Sequence, residues 1–244
     1  MFFFKPKPIY IDCFTFDSAV YEYAPIALAN NFIPNWWKEL PKGYQEGLHE
    51  ISTIKRCAGF IDLYSKGLML PAWSDFAFET FSNGNYLYNF AHQAFAVINH
   101  PQKQVGTFYD DSESLHIKLE TPWLFKCSTD INWMYSQPVW NQLAGRDFCI
   151  PSGVVNYKYQ SETNLNILFR RKDQTVNFKH GEPLAHIIPL TERPIKINNH
   201  LLDEAEYKKM KNKGHPTMFT NNYFKRKKIQ QAKEAKESKC PFKF

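Results

Sequence analysis

The sequence predicts a β-rich fold, all-β to α+β, and three observations carry that prediction. Phe, Trp and Tyr make up 16% of the 244 residues, and such side chains suit pleated, half-buried surfaces. Short segments of alternating apolar and polar residues recur along the chain, separated by turn-forming residues. They do not alternate with helical patterns, which argues against a doubly wound parallel sheet. We therefore predict an antiparallel β-sandwich or jelly-roll-like body with a few short helices.

Residues 8–16 form the first predicted strand, in which Ile9, Ile11 and Cys13 share a face that we expect to be buried. Further strands are predicted at residues 68–75, 76–81, 85–88, 115–119, 123–127, 132–136, 154–159, 164–170, 175–179 and 184–190.

The Asn83-Gly84 pair predicts a two-residue type I′ hairpin turn, which would pair Phe81 with Tyr86. In that register Leu87 lies on the buried face, whereas a one-residue bulge would reverse the faces of the second strand.

Two helical segments are predicted in the body. Residues 52–65 show helical spacing of Ile54, Cys57, Ile61 and Tyr64, with Thr53 as the cap and a glycine closing the helix at position 67. A shorter turn follows Pro34, with Asn35 as its expected N-cap.

We divide the chain into a globular domain, residues 1–195, and a basic, largely helical C-terminal extension, residues 196–244. Helices are predicted over residues 204–211, capped by Asp203, and over residues 223–238. Residues 207–244 hold twelve Lys and Arg against two Glu, whereas the whole chain carries a net charge of +6. The rest is therefore mildly acidic, and we expect the extension to wrap over the body or to reach a neighbour.

Several classes of protein are disfavoured. The sequence lacks an apolar stretch long enough to predict a signal peptide or a membrane span, so we expect neither secretion nor a membrane partner. The five cysteines are widely spaced without a Cys-x-x-Cys pair, which is typical of reduced thiols.

His180, Glu182 and His186 form the one candidate metal site. A His-x-Glu pair with another His is similar to the ligand set of iron oxygenases on β-barrels, although a distant second His is expected there. The alternative places His180 and Glu182 in a solvated turn and His186 in the core, and we favour it. We thus predict no cofactor and keep iron or zinc as the alternative.

Other candidate residues have ordinary explanations. Cys57, Cys127 or Cys149 could act as a nucleophile beside a His, but core packing is favoured. The acidic run at residues 110–113 lacks the pattern of a calcium loop and predicts a solvated turn.

Aromatic and basic residues provide the candidate binding surfaces. Six Trp residues could line a cleft or a subunit contact, although packing is favoured for most of them. The selected ligand or interface residues are Trp36, Trp37, Trp73, Tyr86 and Tyr88. The basic extension could bind nucleic acid or another partner through Lys225, Arg226, Lys227 and Lys228.

Four ordered stretches carry a resemblance to a known family. They are Phe32-Ile33-Pro34-Asn35-Trp36-Trp37-Lys38, Thr53-Ile54-Lys55-Arg56-Cys57-Ala58-Gly59-Phe60, Pro151-Ser152-Gly153-Val154-Val155 and Gly181-Glu182-Pro183-Leu184-Ala185-His186-Ile187-Ile188-Pro189-Leu190. Together they resemble uncharacterised proteins of T4-like tailed phages of aquatic bacteria, over residues 9–195. The resemblance implies a viral origin and a β-rich body, and it supplies no catalytic residues.

These observations favour a non-enzymatic viral binding or assembly protein of the host cytoplasm or the virion, either a homo-oligomer or a partner of another viral protein. The two alternatives are a metal-dependent, iron/2-oxoglutarate-like oxygenase on a β-barrel and a nucleic-acid-binding protein that uses the basic extension.

Overall fold

The computed structural model describes residues 6–92, 95–106, 110, 113–141, 148–214 and 223–238. The strands are β1 (Ile9–Thr15), β2 (Ala27–Leu28), β3 (Gly43–Glu46), β4 (His49–Ser52), β5 (Leu68–Pro71), β6 (Phe76–Thr80), β7 (Tyr86–Phe90), β8 (Val97–Asn99), β9 (Ser114–Leu119), β10 (Leu124–Lys126), β11 (Trp133–Ser136), β12 (Phe148–Cys149), β13 (Gly153–Val155), β14 (Leu165–Arg170), β15 (Gln174–Phe178), β16 (Pro183–Pro189) and β17 (Ile195–Leu201). The helices are α1 (Ser18–Tyr23), α2 (Asn35–Glu39), α3 (Ala58–Ser65), α4 (Gln102–Val105), α5 (Glu204–Gly214) and α6 (Tyr223–Ser238), with 3₁₀ turns at Ala29–Phe32 and Ile54–Arg56.

The strands form five sheets, and the predicted β-rich fold is confirmed. Their orders are β10-β1-β17, β13-β11-β16-β5-β2, β12-β14-β9-β8, β15-β6-β7 and the hairpin β3-β4. Among the described strands, every pairing is antiparallel except that of β1 with β17. No helix in the described ranges is both long enough and apolar enough to cross a membrane.

The five-stranded sheet separates two apolar clusters. On β5, Leu68 and Leu70 belong to the main core, whereas Met69 between them belongs to a second cluster with Phe60 and Tyr64. Every residue of β5 is buried. Since both faces are covered, this strand reads as a continuous apolar run and shows no alternation in the sequence.

Strand β1 behaves as its alternation predicts, because Ile9, Ile11 and Cys13 are all fully buried. It lies between β10 and β17, and its parallel partner β17 was not predicted. The sheet therefore continues beyond residue 195, and the division of the chain at that residue stays a prediction.

The predicted hairpin register is wrong by one residue. Thr80 pairs with Tyr86, and the amide of Phe81 donates to the carbonyl of Asn85 across a three-residue connection. Gly84 alone in this connection has a positive φ, +84°, whereas a type I′ turn needs two such residues. The reversed faces leave Leu87 60% exposed, as a bulge would require.

The single helix predicted over residues 52–65 is split in two. Thr53 caps the 3₁₀ turn by accepting from the amide of Lys55, and α3 starts only after Cys57. The break moves Cys57 and Ile61 into solvent, so the predicted apolar stripe is wrong at both positions.

Two shorter predictions also need correction. Asn35 is the first residue of α2 rather than its N-cap, because Pro34 holds the cap position. Strand β13 ends at Val155, and residues 157–159 form a turn instead of the predicted end of a strand.

Gly67 provides a test of the packing between β5 and β16. Its φ is +79°, and a Cβ there would lie 2.3 Å from the carbonyl oxygen of Ile187. Gly67→Ala should therefore lower the free energy of unfolding by about 3 kcal/mol or more, measured by chemical denaturation.

Gly47→Ala is the matched control. Gly47 also has a positive φ, +62°, but nothing lies within 4 Å of the position that a Cβ would take there. It should lose only about 1–2 kcal/mol for the left-handed backbone. Equal losses for the two variants would contradict the close approach at Gly67.

Candidate functional site

A group of five aromatic residues forms the candidate site on the outer side of the five-stranded sheet. We call Trp36, Trp37, Phe60, Tyr64 and Trp140 the aromatic surface. The ring of Phe60 stacks on Trp37 at 5.0 Å and on Tyr64 at 4.8 Å between centroids. Trp36 and Trp140 meet Phe60 edge-on, at 5.9 Å and 5.5 Å. Offset and edge-on contacts of this kind are the favoured geometries of aromatic pairs.

The outermost members of the aromatic surface are solvent-exposed. Trp36 is 42% exposed and Trp140 is 41% exposed, while Phe60 beneath them is 3% exposed. Their sequence neighbours Ile61 and Val139 are also exposed, at 46% and 60%. The two indoles are accessible side by side, with ring centroids 6.1 Å apart, an arrangement typical of protein interaction sites.

Hydrogen bonds hold the distant segment around Trp140 in place. The indole Nε1 of Trp36 donates to the carbonyl oxygen of Trp140 at 3.0 Å. The hydroxyl of Tyr64 donates to the Asn141 side chain, whose amide in turn donates to the carbonyl of Phe32. Two segments about a hundred residues apart therefore present a fixed pair of indoles.

A lysine supports the edge of the aromatic surface. The Nζ of Lys55 donates to the carbonyl oxygens of Trp37 at 2.8 Å and Lys38 at 2.6 Å. It also lies 4.3 Å from the centroid of the Trp37 ring, within the range of a cation–π interaction. Burial raises the pKa of the Tyr64 hydroxyl, so that group stays protonated and remains a donor.

The structure brings Trp36 and Trp37 together but places the other selected aromatic residues elsewhere. Trp73, selected as a ligand or interface residue, is 3% exposed and stacks on Phe90 in the main core, which fits the packing interpretation instead. Tyr86 is half-buried, and Tyr88 is 47% exposed on β7. Trp123 and Trp133 are fully buried, as the packing interpretation predicts.

The candidate metal ligands do not meet. His180 is exposed in a turn, and Glu182 accepts there from the amide of Lys179. His186 is buried, with its Nε2 2.8 Å from the carbonyl oxygen of Lys66. Because a carbonyl oxygen only accepts, this nitrogen carries a proton and cannot ligate a metal. Across the described parts of the chain, no three His, Cys, Asp or Glu residues form a group that could hold a metal ion.

Four of the five cysteines lie in the described residues, two of them buried and two exposed. Cys13 and Cys127 are buried, and burial raises the pKa of both thiols, which keeps them unreactive. Cys57 and Cys149 are exposed, so core packing is the wrong explanation for these two. Cys240 lies outside the described residues.

In the acidic run, the amide of Glu113 donates to the carbonyl of Asp110, as in a turn. Asp111 and Ser112 lie outside the described residues.

Sequence reasoning missed a polar cleft of about 290 Å³ lined by His100, Lys118 and Asn166. The ring of His116 lies 4.9 Å from that of His100 and bonds the Asn166 side chain at 3.2 Å. Burial lowers the pKa of His116. The pKa of His100 is lowered by burial and also by the nearby His116 and Lys118. Alternation places His116 on the face of β9 opposite to Leu115 and Ile117. Its polar neighbours, His100 just after β8 and Asn166 on β14, are remote in sequence.

The basic extension lies on the body through defined contacts. Tyr207 of α5 is 4% exposed, and Lys211 pairs with Glu120 at 2.6 Å. Glu234 of α6 pairs with Lys158 at 2.7 Å. The expectation that the segment wraps over the body is therefore confirmed for α5 and α6.

The selected basic residues of α6 differ in exposure. Lys225 and Lys228 are exposed, while Lys227 is half-buried and lies 5.9 Å from the ring of Tyr159. The side chain of Arg226 lies outside the described part of the structure.

Three histidines with lowered pKa values, the buried His116 and His186 and the half-buried His100, predict a loss of stability in mild acid. The pKa values of His100, His116 and His186 lie below the ordinary value of 6.5 in the folded chain. Below that value the unfolded chain binds protons that the folded chain does not, so the free energy of unfolding falls as pH drops. Chemical denaturation should show this fall between about pH 7 and about pH 5.

His186→Gln keeps a hydrogen-bond donor towards Lys66 and removes the titrating group. The slope of stability against pH should become shallower in this variant, by at most about 1.4 kcal/mol per pH unit. Identical slopes in the wild type and in His186→Gln would contradict the role of His186.

Comparison of the chain with protein-family models, with curated proteins and with solved structures finds no match. The resemblance to phage proteins therefore remains an expectation based on four short stretches of sequence.

Proposed function

We propose that the protein is a non-enzymatic binding or assembly protein of a tailed-phage type, and that its aromatic surface docks a second copy of the same chain. The observation that supports this proposal is the exposed pair Trp36 and Trp140 on a buried base of stacked rings. Tryptophan is enriched among the residues that contribute most to binding energy at protein interfaces. A sandwich or jelly-roll-like arrangement of the sheets is part of the same proposal, supported by the core that several sheets share.

The rigidity of the indole pair favours an interface. Ordering a side chain on binding costs conformational entropy, and a side chain that is already fixed avoids much of that cost. Trp36 is held by its hydrogen bond to the Trp140 backbone and by the edge of the Phe60 ring. Both indoles are therefore preorganised for a partner.

The charges near the aromatic surface favour a second copy as the partner. In a two-fold symmetric contact, each patch faces itself, so a patch of one sign would repel its copy. Exposed residues of both charges lie near Trp36 and Phe60 in the sequence. Lys38 and Glu39 follow Trp36, and Arg56 and Asp62 lie on either side of Phe60. This balance allows opposite charges to meet across the axis.

Trp36→Ala tests the proposal, with native mass spectrometry and analytical ultracentrifugation of the full chain as the measurements. The wild type should form a dimer at micromolar concentration, and the variant should raise the dissociation constant at least about tenfold. Its melting temperature should change little, because Trp36 lies at the edge of the cluster and is already 42% exposed.

Tyr23→Ala is the matched control, because Tyr23 is 64% exposed and lies outside the aromatic surface. It should leave the dissociation constant unchanged. A monomeric wild type, or equal weakening by the two substitutions, would overturn the proposed interface. Trp140→Ala, which keeps the backbone acceptor of Trp36, should reproduce the effect of Trp36→Ala.

A further inference from the structure

A second cleft lies between the body and α5, away from the aromatic surface. Its volume is about 610 Å³, within the range of small-molecule sites. Residues of β1, β10 and the segment 157–161 form the body side, and α5 with Leu202 after β17 forms the other side. The basic extension therefore completes a cavity in addition to covering the surface.

The interior of this cleft is mainly aromatic. Phe14, Phe125, Tyr157 and Tyr159 line it, with Leu202 and Met210 from the C-terminal side. The rings of Phe125 and Tyr157 lie 4.9 Å apart, and Phe14 stacks on His200 at 4.8 Å. Phe125 and Tyr157 are almost fully buried and form the floor of the cleft, whereas the half-buried Phe14 and the edge of Tyr159 remain accessible to a flat ring as a ligand.

The cleft also has a polar atom that lacks a partner. The hydroxyl oxygen of Ser161 is buried in its wall and has no hydrogen-bond partner among the described residues. A buried hydroxyl without a partner is energetically costly, and rotation of the Ser161 side chain towards the cleft would let a ligand with a polar edge satisfy it. This atom points to an occupant that offers hydrogen-bonding groups as well as a flat ring.

The charge around the cleft is positive. Lys126, Lys158 and Lys209 line it against a single carboxylate, Glu206, in the part of the chain that the structure describes. Lys158 is paired with Glu234, whereas among the described residues Lys126 and Lys209 take part in no ion pair. Both have exposed side chains and can approach an anionic group at the mouth.

We propose that this cleft binds a nucleoside phosphate, with the base among the aromatic rings, a polar edge at Ser161 and the phosphate near Lys126 and Lys209. The same chemistry is offered by a free nucleotide and by one unit of a single-stranded nucleic acid. The site goes beyond the proposed assembly function, because it shares no residue with the aromatic surface.

Calorimetric titration of the full chain with AMP, GMP, CMP and UMP tests the proposal, with adenosine and inorganic phosphate as partial probes. At least one nucleotide should bind, and more tightly than either partial probe. A short single-stranded oligonucleotide that binds far more tightly than the nucleotides identifies a strand as the source, and the reverse order identifies the free nucleotide. No binding of any of these probes would overturn the proposal.

Lys209→Gln should weaken binding about 5- to 10-fold and reduce its salt dependence. Lys208→Gln is the matched control on the same helix, since Lys208 pairs with Glu204 and does not line the cleft. Ser161→Ala should weaken binding without lowering the melting temperature, because its hydroxyl has no partner to lose among the described residues. Equal effects of the two lysine substitutions would overturn the assignment to this cleft, whatever the oligomeric state.

Discussion

Strands β5 and β16 pair with each other and carry apolar layers on both faces, and the register of this pair constrains what is built around it. Successive residues point to opposite faces, so Leu68 and Ile187 enter the main core while Met69 and His186 face outwards. A slip by one residue would exchange the two sets. It would bring an imidazole into the main core and away from the Lys66 carbonyl, leaving a buried polar group unsatisfied. The tight approach of Gly67 to Ile187 adds a steric reason for the same register.

The aromatic surface depends on this sheet. Tyr64 rests near His186, with ring centroids 6.1 Å apart, and Phe60 shares a cluster with Met69. Trp36 and Trp140 then lie on Phe60. The exposed indoles are thus the third layer of a stack that begins at the sheet. Their orientation is set by packing below them, which is why exposure here does not imply freedom of the side chains.

The sequence predicts the fold best where one face of a strand is buried and the other is not. Alternation identified β1, and strands were also predicted at β5 and β16, but the sequence pattern carries little information about which strands pair. Strand β17 has polar residues such as Asn198 and Asn199 at its centre, and its partner β1 lies more than 180 residues away in the sequence. The hairpin was missed by one residue because Asn-Gly is compatible with more than one turn. Of the candidate site, Trp36 was selected from the sequence, but Trp140 was not, since its contacts with Phe60 and Trp36 arise only in three dimensions.

The position of the C-terminal extension shows why charge segregation alone does not define a separate arm. Lys211 of the extension pairs with the carboxylate of Glu120 in the body. In the opposite sense, Glu234 of α6 pairs with Lys158 of the body. Both pairs are partly buried, so salt screens them less than it screens exposed charges. Tyr207 adds an apolar anchor by packing against Phe16 and donating to the carbonyl of Pro122. The wall that α5 contributes to the second cleft therefore rests on contacts of low salt sensitivity, whereas the attraction of an anion to Lys126 and Lys209 is strongly screened. If α5 stays docked while the affinity for a nucleotide falls with salt, the fall reflects weaker attraction between the nucleotide and the two lysines. It does not reflect loss of the cleft.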